Sequence, residues 1–198
     1  MRKALEGKLL ISILPGVRED QIEDILAAEP QTVPTRVVRA MPNSAAGVRQ
    51  SMTVVSGPTP PLLESDSQLM EWIFGRVGRV VHLPSVNMDA STALCSSGSA
   101  FFALMLESMV NAAVAFGLPR AKAQLMAAQT MRGTADMVLD GEDPDSIRWK
   151  LSTRGGCTEA GLAVLKSDGM RSTITHCMWQ TIAACGGVKT YMGTNGTH

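Results

Sequence analysis

The residues most able to do chemistry lie between Leu151 and Leu162, in the run LSTRGGCTEAGL. Ser152, Thr153, Gly155, Gly156 and Thr158 are small or hydroxyl-bearing and stand just before an apparent helix start, so main-chain N–H groups there can face outward unobstructed. Unpaired donors at a helix N-terminus, together with the positive end of its dipole, favour a carboxylate or phosphate. The same residues also fit a plain glycine turn capped by Thr158, with Glu159 in the first helical turn. Other chemistry has less support. Cys95, Cys157, Cys177 and Cys185 show no CxxC spacing, which points to reduced, mostly buried thiols rather than a disulfide frame or zinc site. The three histidines are isolated from one another, and none is assigned a catalytic role. No metal site is expected.

The elements that must position this loop fall into two halves. Lys8 to Leu14 (KLLISIL) is apolar on both faces and runs into Pro15-Gly16, the pattern of a strand covered by helices on both sides. Arg18 to Ala28 is expected to form an amphipathic helix with Ile22, Ile25 and Leu26 inward. After Pro30 and Pro34, Arg36 to Ala40 is a second strand, so the opening reads as βαβ. Met52 to Ser56 is a third strand, GPTPP a loop, Leu62 to Val77 a helix with Leu62, Leu63, Leu69, Ile73 and Phe74 inward, and Arg79 to Leu83 a fourth strand. A doubly apolar first strand normally sits inside a larger sheet, and no GxGxxG follows a strand anywhere, so the usual pyrophosphate cradle is not in this chain. The expectation is the second half of a nucleotide-binding fold.

From Ala100 onward the pattern is helical, placing a boundary near Pro84 to Ala90. The fold class is therefore α/β followed by all-α: a partial Rossmann-type sheet over residues 1–86, and a helical domain for dimerisation and substrate binding over 87–198. Ser96-Ser97-Gly98-Ser99 leads into Ala100 to Phe116, in which only Glu107, Ser108 and Asn111 are polar. Such a helix must be buried on nearly all sides. A second copy of the chain is expected to help cover it, the other arrangement being the centre of a monomeric bundle. Pro119 to Leu139 follows, with Leu125 and Met126 toward the core. A short turn or helix anchored by Ile147 and Trp149 delivers the chain to the glycine loop; helices from Thr158 to Lys166 and from Met170 to Ala184 complete it, and the TNGTH tail is expected to be disordered.

Composition narrows the partners. The 198 residues carry 18 basic and 18 acidic side chains, and no basic block suggests nucleic acid or an anionic membrane. The uninterrupted apolar runs are short for a bilayer and MRKALEGK is no signal peptide, which points to the cytoplasm and to a small-molecule or protein partner.

Three segments, in order and spacing, resemble the pyrroline-5-carboxylate reductase family, its fungal members in particular: VVRAMPNSAAGVRQSMTVV (Val37 to Val55), ALCSSGSAFFALMLESMVNAAVAFGLPR (Ala93 to Arg120) and KLSTRGGCTEAGLAVLKSDGMR (Lys150 to Arg171). The family's first strands and glycine fingerprint have no counterpart in this chain. The resemblance implies a homodimer or higher oligomer through the helical domain, and NADPH- or NADH-dependent reduction of a cyclic imino acid, 1-pyrroline-5-carboxylate or a substituted analogue such as a methylated one. It also implies that Leu14, Pro15, Met41, Pro42 and Asn43 border the nicotinamide. Gly155, Gly156 and Cys157 would hold the substrate carboxylate by their main chain beside Leu151, while Thr158 and Thr153 would hydrogen-bond the carboxylate or ring nitrogen. Three motif departures stand out: Arg154 replaces the proline of Ser-Thr-Pro-Gly-Gly, Ser96-Ser97-Gly98-Ser99 replaces Gly-Ser-Gly-Pro, and Asn43-Ser44-Ala45 replaces Asn-Thr-Pro. They suggest an altered pocket, suited to specialised metabolism, and a looser glycine loop. The alternative is a catalytically impaired, truncated paralogue acting as a dimerisation partner; a late-starting sequence is the third possibility.

Overall fold

The structure is a computed structural model that describes residues 2–28, 33–57 and 62–185. Pro30, most of the GPTPP loop and the TNGTH tail lie outside the described residues. The chain groups into two compact units, one of residues up to Ser99 together with those from Gln180, the other Ala100–Trp179. The first is called the sheet unit and the second the helical unit.

A one-turn helix, α1 (Arg2–Leu5), precedes strand β1 (Leu9–Ser12). Helix α2 (Glu19–Ala27) leads to β2 (Arg36–Met41), which pairs in parallel with β1 from Leu9 opposite Arg36 to Ser12 opposite Arg39. A 3-10 turn (Ser44–Val48) reverses the chain into β3 (Ser51–Gly57), antiparallel to β2; its closing residue, Arg49, takes a left-handed φ of 59°. Helix α3 (Glu64–Phe74) then crosses to β4 (Gly78–Pro84), parallel to β3. The sheet order is β1-β2-β3-β4. β1 is therefore an edge strand of this four-stranded sheet, and Leu9, Leu10 and Ile11 are half-buried where full burial was expected.

The two faces of β2 explain the packing. Val38 and Ala40 join Val55, Met70 and Phe74 in the main core, against which Leu62, Ile73 and Val80 rest. Burying side chains the size of Met70 and Phe74 contributes about 1.5–3 kcal/mol each. Alternate residues point the other way, where Arg39 lies 3.9 Å from Glu19 of α2. Helical phase corrects three inward assignments: Ile25, Leu63 and Leu69 are exposed, and Leu26 and Met70 take the buried positions. Arg36 Nε donates to Asp66 Oδ2 at 2.6 Å, fastening the start of β2 to the first turn of α3. The Asp66 hydrogen bond holds the Arg36 guanidinium above its usual pKa.

Beyond β4 the chain stays helical. Ser85–Asn87 is 3-10, α4 spans Met88–Ser91, Thr92–Ser97 is a π turn, and α5 runs Gly98–Ala115. By length and composition alone, the 31-residue stretch Ser85–Ala115 is long and apolar enough to cross a bilayer. The short uninterrupted apolar runs had not suggested this, because helices joined end to end dilute their polar residues. A helix whose apolar sides dock on other helices meets the same criterion.

In the helical unit Gly117, at φ +96°, ends α5, and Pro119 is the residue before α6 (Arg120–Leu139). α7 (Pro144–Leu151), α8 (Cys157–Ser167) and α9 (Met170–Ala184) follow. Val110, Ala123 and Ile147 are buried, whereas Leu125 and Met126, expected against the core, are exposed. Trp149, read as an anchor, is 77% exposed, so Ile147 alone anchors α7 within the chain.

Candidate functional site

The sheet unit brings one group of expected site residues together. Because β1 and β2 are parallel with Ser12 opposite Arg39, Leu14-Pro15 and Met41-Pro42-Asn43 emerge at the same edge, at the carboxyl ends of neighbouring strands. Open α/β sheets bind ligands there. Leu14 is exposed, and its N–H donates to Ser12 Oγ at 3.4 Å, starting the turn that Gly16 completes at φ +72°. Asn43 organises the second turn: its Oδ1 accepts from the Ala45 N–H and its own N–H donates to Ser51 Oγ at 3.1 Å.

The helical unit holds the other group, and local sequence accounts for its geometry. Asp143 caps α7 by accepting from the N–H groups of Asp145 and Ser146, and Pro144 fits the first helical position. Asp145 pairs with Arg148, and Glu142 with Lys150 at 2.6 Å. This helix ends at Ser152 and releases the chain into a tight turn, in which the Gly156 N–H donates to the Thr153 carbonyl at 2.8 Å and Gly155 adopts φ +73°. A left-handed third residue is what glycine supplies. A Cβ on Gly156 would meet the Thr153 carbonyl oxygen at 2.9 Å, so both glycines have a steric reason. Arg154, exposed, holds the second turn position, where proline would lock φ.

Gly156, rather than Thr158, is the N-cap of α8. Glu159 reaches back so that the Gly155 N–H donates to its Oε2 at 2.5 Å. Of the three amides expected to face a ligand, then, Gly155 already holds a carboxylate, Gly156 closes its own turn, and Cys157 opens the helix, where a main-chain N–H has no intrahelical acceptor. Leu151, Thr153, Cys157 and Thr158 are all exposed around this loop.

The thiols differ from expectation: Cys157 is exposed and the other three are half-buried, because each lies on a helix with an open side. Burial pushes the Cys95 and Cys185 thiols up, the latter aided by Asp89. No group of three metal-ligating side chains occurs among the described residues. Sequence reasoning missed the π turn; its only local trace was the run of small residues Ser96 to Ser99.

A Rossmann-type sheet followed by an all-helical dimerisation region is the class this architecture defines. The family described as pyrroline-5-carboxylate reductase dimerisation matches residues 86–186, just over half the chain. The chain belongs to the pyrroline-5-carboxylate reductase family. It is 51% identical over 203 residues to a pyrroline-5-carboxylate reductase of Lophium arboricola, covering 100% of this chain and 63% of that one. It is 47% identical over 200 residues to the Neurospora crassa enzyme of that name, covering 96% and 60%. Among solved structures, the Plasmodium falciparum pyrroline carboxylate reductase with NADP bound superposes with a TM-score of 0.83 at 25% identity, over 93% of this chain and 71% of that one. The chain thus spans about three-fifths of the length of the curated relatives it matches.

Proposed function

We propose that the chain contributes to an oxidoreductase acting on CH–NH bonds, reducing 1-pyrroline-5-carboxylate or a substituted analogue to the corresponding proline, in the cytoplasm and as a homodimer. Residues 1–86 would serve the cofactor, and residues 87–198 dimerisation and substrate. When bound, NADPH or NADH supplies the hydride. The exposed turn Leu14-Pro15 and the half-buried turn Met41-Pro42-Asn43, side by side at one sheet edge, fit a flat ring approached from the open side, and these residues would border it.

The observation that carries the reading is the Gly155 amide, presented in an exposed left-handed turn at the head of α8. That main-chain donor, with the Cys157 N–H at the positive end of α8, would hold the substrate acid group. The Thr158 hydroxyl, with Thr153 beside it, would steady the carboxylate or the ring nitrogen, and Leu151 would line the ring. Catalysis would rest on orientation rather than on an acid–base pair.

The test is an NADPH titration with light scattering, followed by imine-dependent NADPH oxidation. Weak NADPH binding is expected; micromolar binding with imine-dependent oxidation would mark a working enzyme, in which Thr158→Ala should lower kcat/KM roughly 10-fold, the loss of a hydrogen bond to a charged group. Unchanged kinetics would misplace the substrate. A second reading, a catalytically impaired dimerisation partner, is favoured by one observation: the Glu159 carboxylate occupies the Gly155 amide. Dimers that neither bind NADPH nor oxidise it would support that reading.

A further inference from the structure

We propose that Asn43 is a positioning residue whose carboxamide ties the turn after β2 to the π turn Thr92–Ser97, so that the two move together and fix how Met41 and Pro42 face the cofactor. The second half of this statement rests on the nicotinamide reading above.

Every polar group of Asn43 has a protein partner. Its N–H donates to Ser51 Oγ at 3.1 Å, and its carbonyl accepts from the Ala46 N–H at 3.1 Å. Its Oδ1 accepts from the Ala45 N–H at 3.2 Å, and its Nδ2 donates to the Cys95 carbonyl at 3.0 Å, 52 residues away in sequence. Flipping the carboxamide would set N–H against N–H and oxygen against carbonyl oxygen, so its orientation is fixed. A widened π turn interrupts the regular ladder, and carbonyls displaced from that ladder need other donors. Cys95 receives two, Asn43 Nδ2 and, at 3.2 Å, Ser99 Oγ.

A second contact runs alongside. The Thr92 hydroxyl lies 2.8 Å from the Met88 carbonyl and 2.6 Å from Met41 Sδ, and Met88 and Ala93 on either side are fully buried. The π turn is therefore pinned from below by apolar packing and from above by residues 41 and 43. With its side chain spent on these bonds, Asn43 shapes the turn rather than recognising the ring.

Asn43→Asp keeps an oxygen for the Ala45 cap but turns a carboxylate toward the Cys95 carbonyl, removing the tie alone. In the full chain, amide exchange over residues 92–97 should speed up roughly 10-fold, the worth of one hydrogen bond. Ser99→Ala, which removes the other donor to the same carbonyl, should leave exchange at residues 41–46 as in the wild type. In the wild type NADPH should slow exchange over both 41–46 and 92–97; in Asn43→Asp the slowing should stop at 41–46, with kcat down roughly 10-fold and KM for NADPH within about 2-fold. Unchanged exchange at 92–97 in Asn43→Asp overturns the tie. NADPH that binds the wild type without reaching 92–97 overturns the coupling, and a wild type that does not bind NADPH overturns the cofactor reading while the first measurement still decides the tie.

Discussion

The two units solve the burial problem differently. Among the described residues ten of the thirteen buried hydrophobic side chains lie in the sheet unit, and three, Val110, Ala123 and Ile147, in the helical unit. The sheet unit builds most of its core within one chain because Val38 and Ala40 pack under α3 while the opposite face of β2 meets α2, leaving β1 half-buried at the edge. The helical unit presents Phe102, Leu104, Met109, Leu125 and Trp179 to the outside, and Phe116 is 93% exposed. Apolar surface of that extent, most of all on α5 with its few polar residues, is the mark of an interface. The lesson is that one unit is stabilised by its own chain, whereas the other, on our proposal, is stabilised by a second copy, in keeping with the dimerisation description of the matched family.

The largest effect that would break this contrast is on assembly. Leu104→Glu, a charge on the open side of α5, should weaken association roughly 100-fold or more, as for a central interface anchor, and halve the mass seen by light scattering. A variant of unchanged mass would mean that this side of α5 faces solvent. Met70→Ala, in the closed core of the sheet unit, should cost about 2–5 kcal/mol. Its fall in Tm should be the same at every protein concentration, whereas that of Leu104→Glu should shrink as protein is added. If both depend on concentration, the sheet unit also leans on a partner.

How far the sequence carried depends on which interactions made each element. The strands were readable because KLLISIL and RVVRA are apolar runs bounded by turn residues, and Met170 to Ala184 was found at its true ends. Side-chain direction was less secure: Leu69 was placed inward where Met70 is buried, a one-residue error of helical phase. Trp149 and Leu125 were assigned to a core because hydrophobicity does not say whose core it is. The π turn left only a faint local trace, the small residues Ser96 to Ser99, because one of the bonds at it comes from Asn43, 52 residues away along the chain. At the glycine loop the residue types pointed to a glycine turn and a helix start, and both are there, with Gly156 rather than Thr158 as the cap. What spacing did not reveal is that Glu159, counted as an ordinary first-turn acid, folds back onto the Gly155 amide.

A smaller, local effect sharpens the same comparison inside the helical unit. Gly155→Ala places a Cβ on a residue at φ +73°, costing about 1–2 kcal/mol, with open space around it and so no clash to add. The turn should loosen and the affinity for the imino acid fall roughly 10-fold, as that cost in one conformer implies. Assembly should be untouched, because the strain is confined to an exposed loop. Loss of dimers in this variant would show that the loop belongs to the interface rather than to a ligand site.

The smallest expected effect concerns Glu159, and it separates the two functional readings. A single N–H can serve one carboxylate at a time, so a substrate acid group reaching Gly155 must displace a tethered competitor that is always present. Glu159→Gln keeps the length of the side chain but exchanges a charged acceptor for a neutral one, a difference of about 1 kcal/mol in hydrogen-bond strength. KM for the imino acid should therefore fall about 5-fold with kcat unchanged. A rise in KM would instead mean that Glu159 builds the turn and that substrate binds with the strap in place. No change would mean that the Gly155 amide is not where the acid group sits, leaving the Cys157 N–H and the Thr158 hydroxyl to hold it without help from the glycine pair.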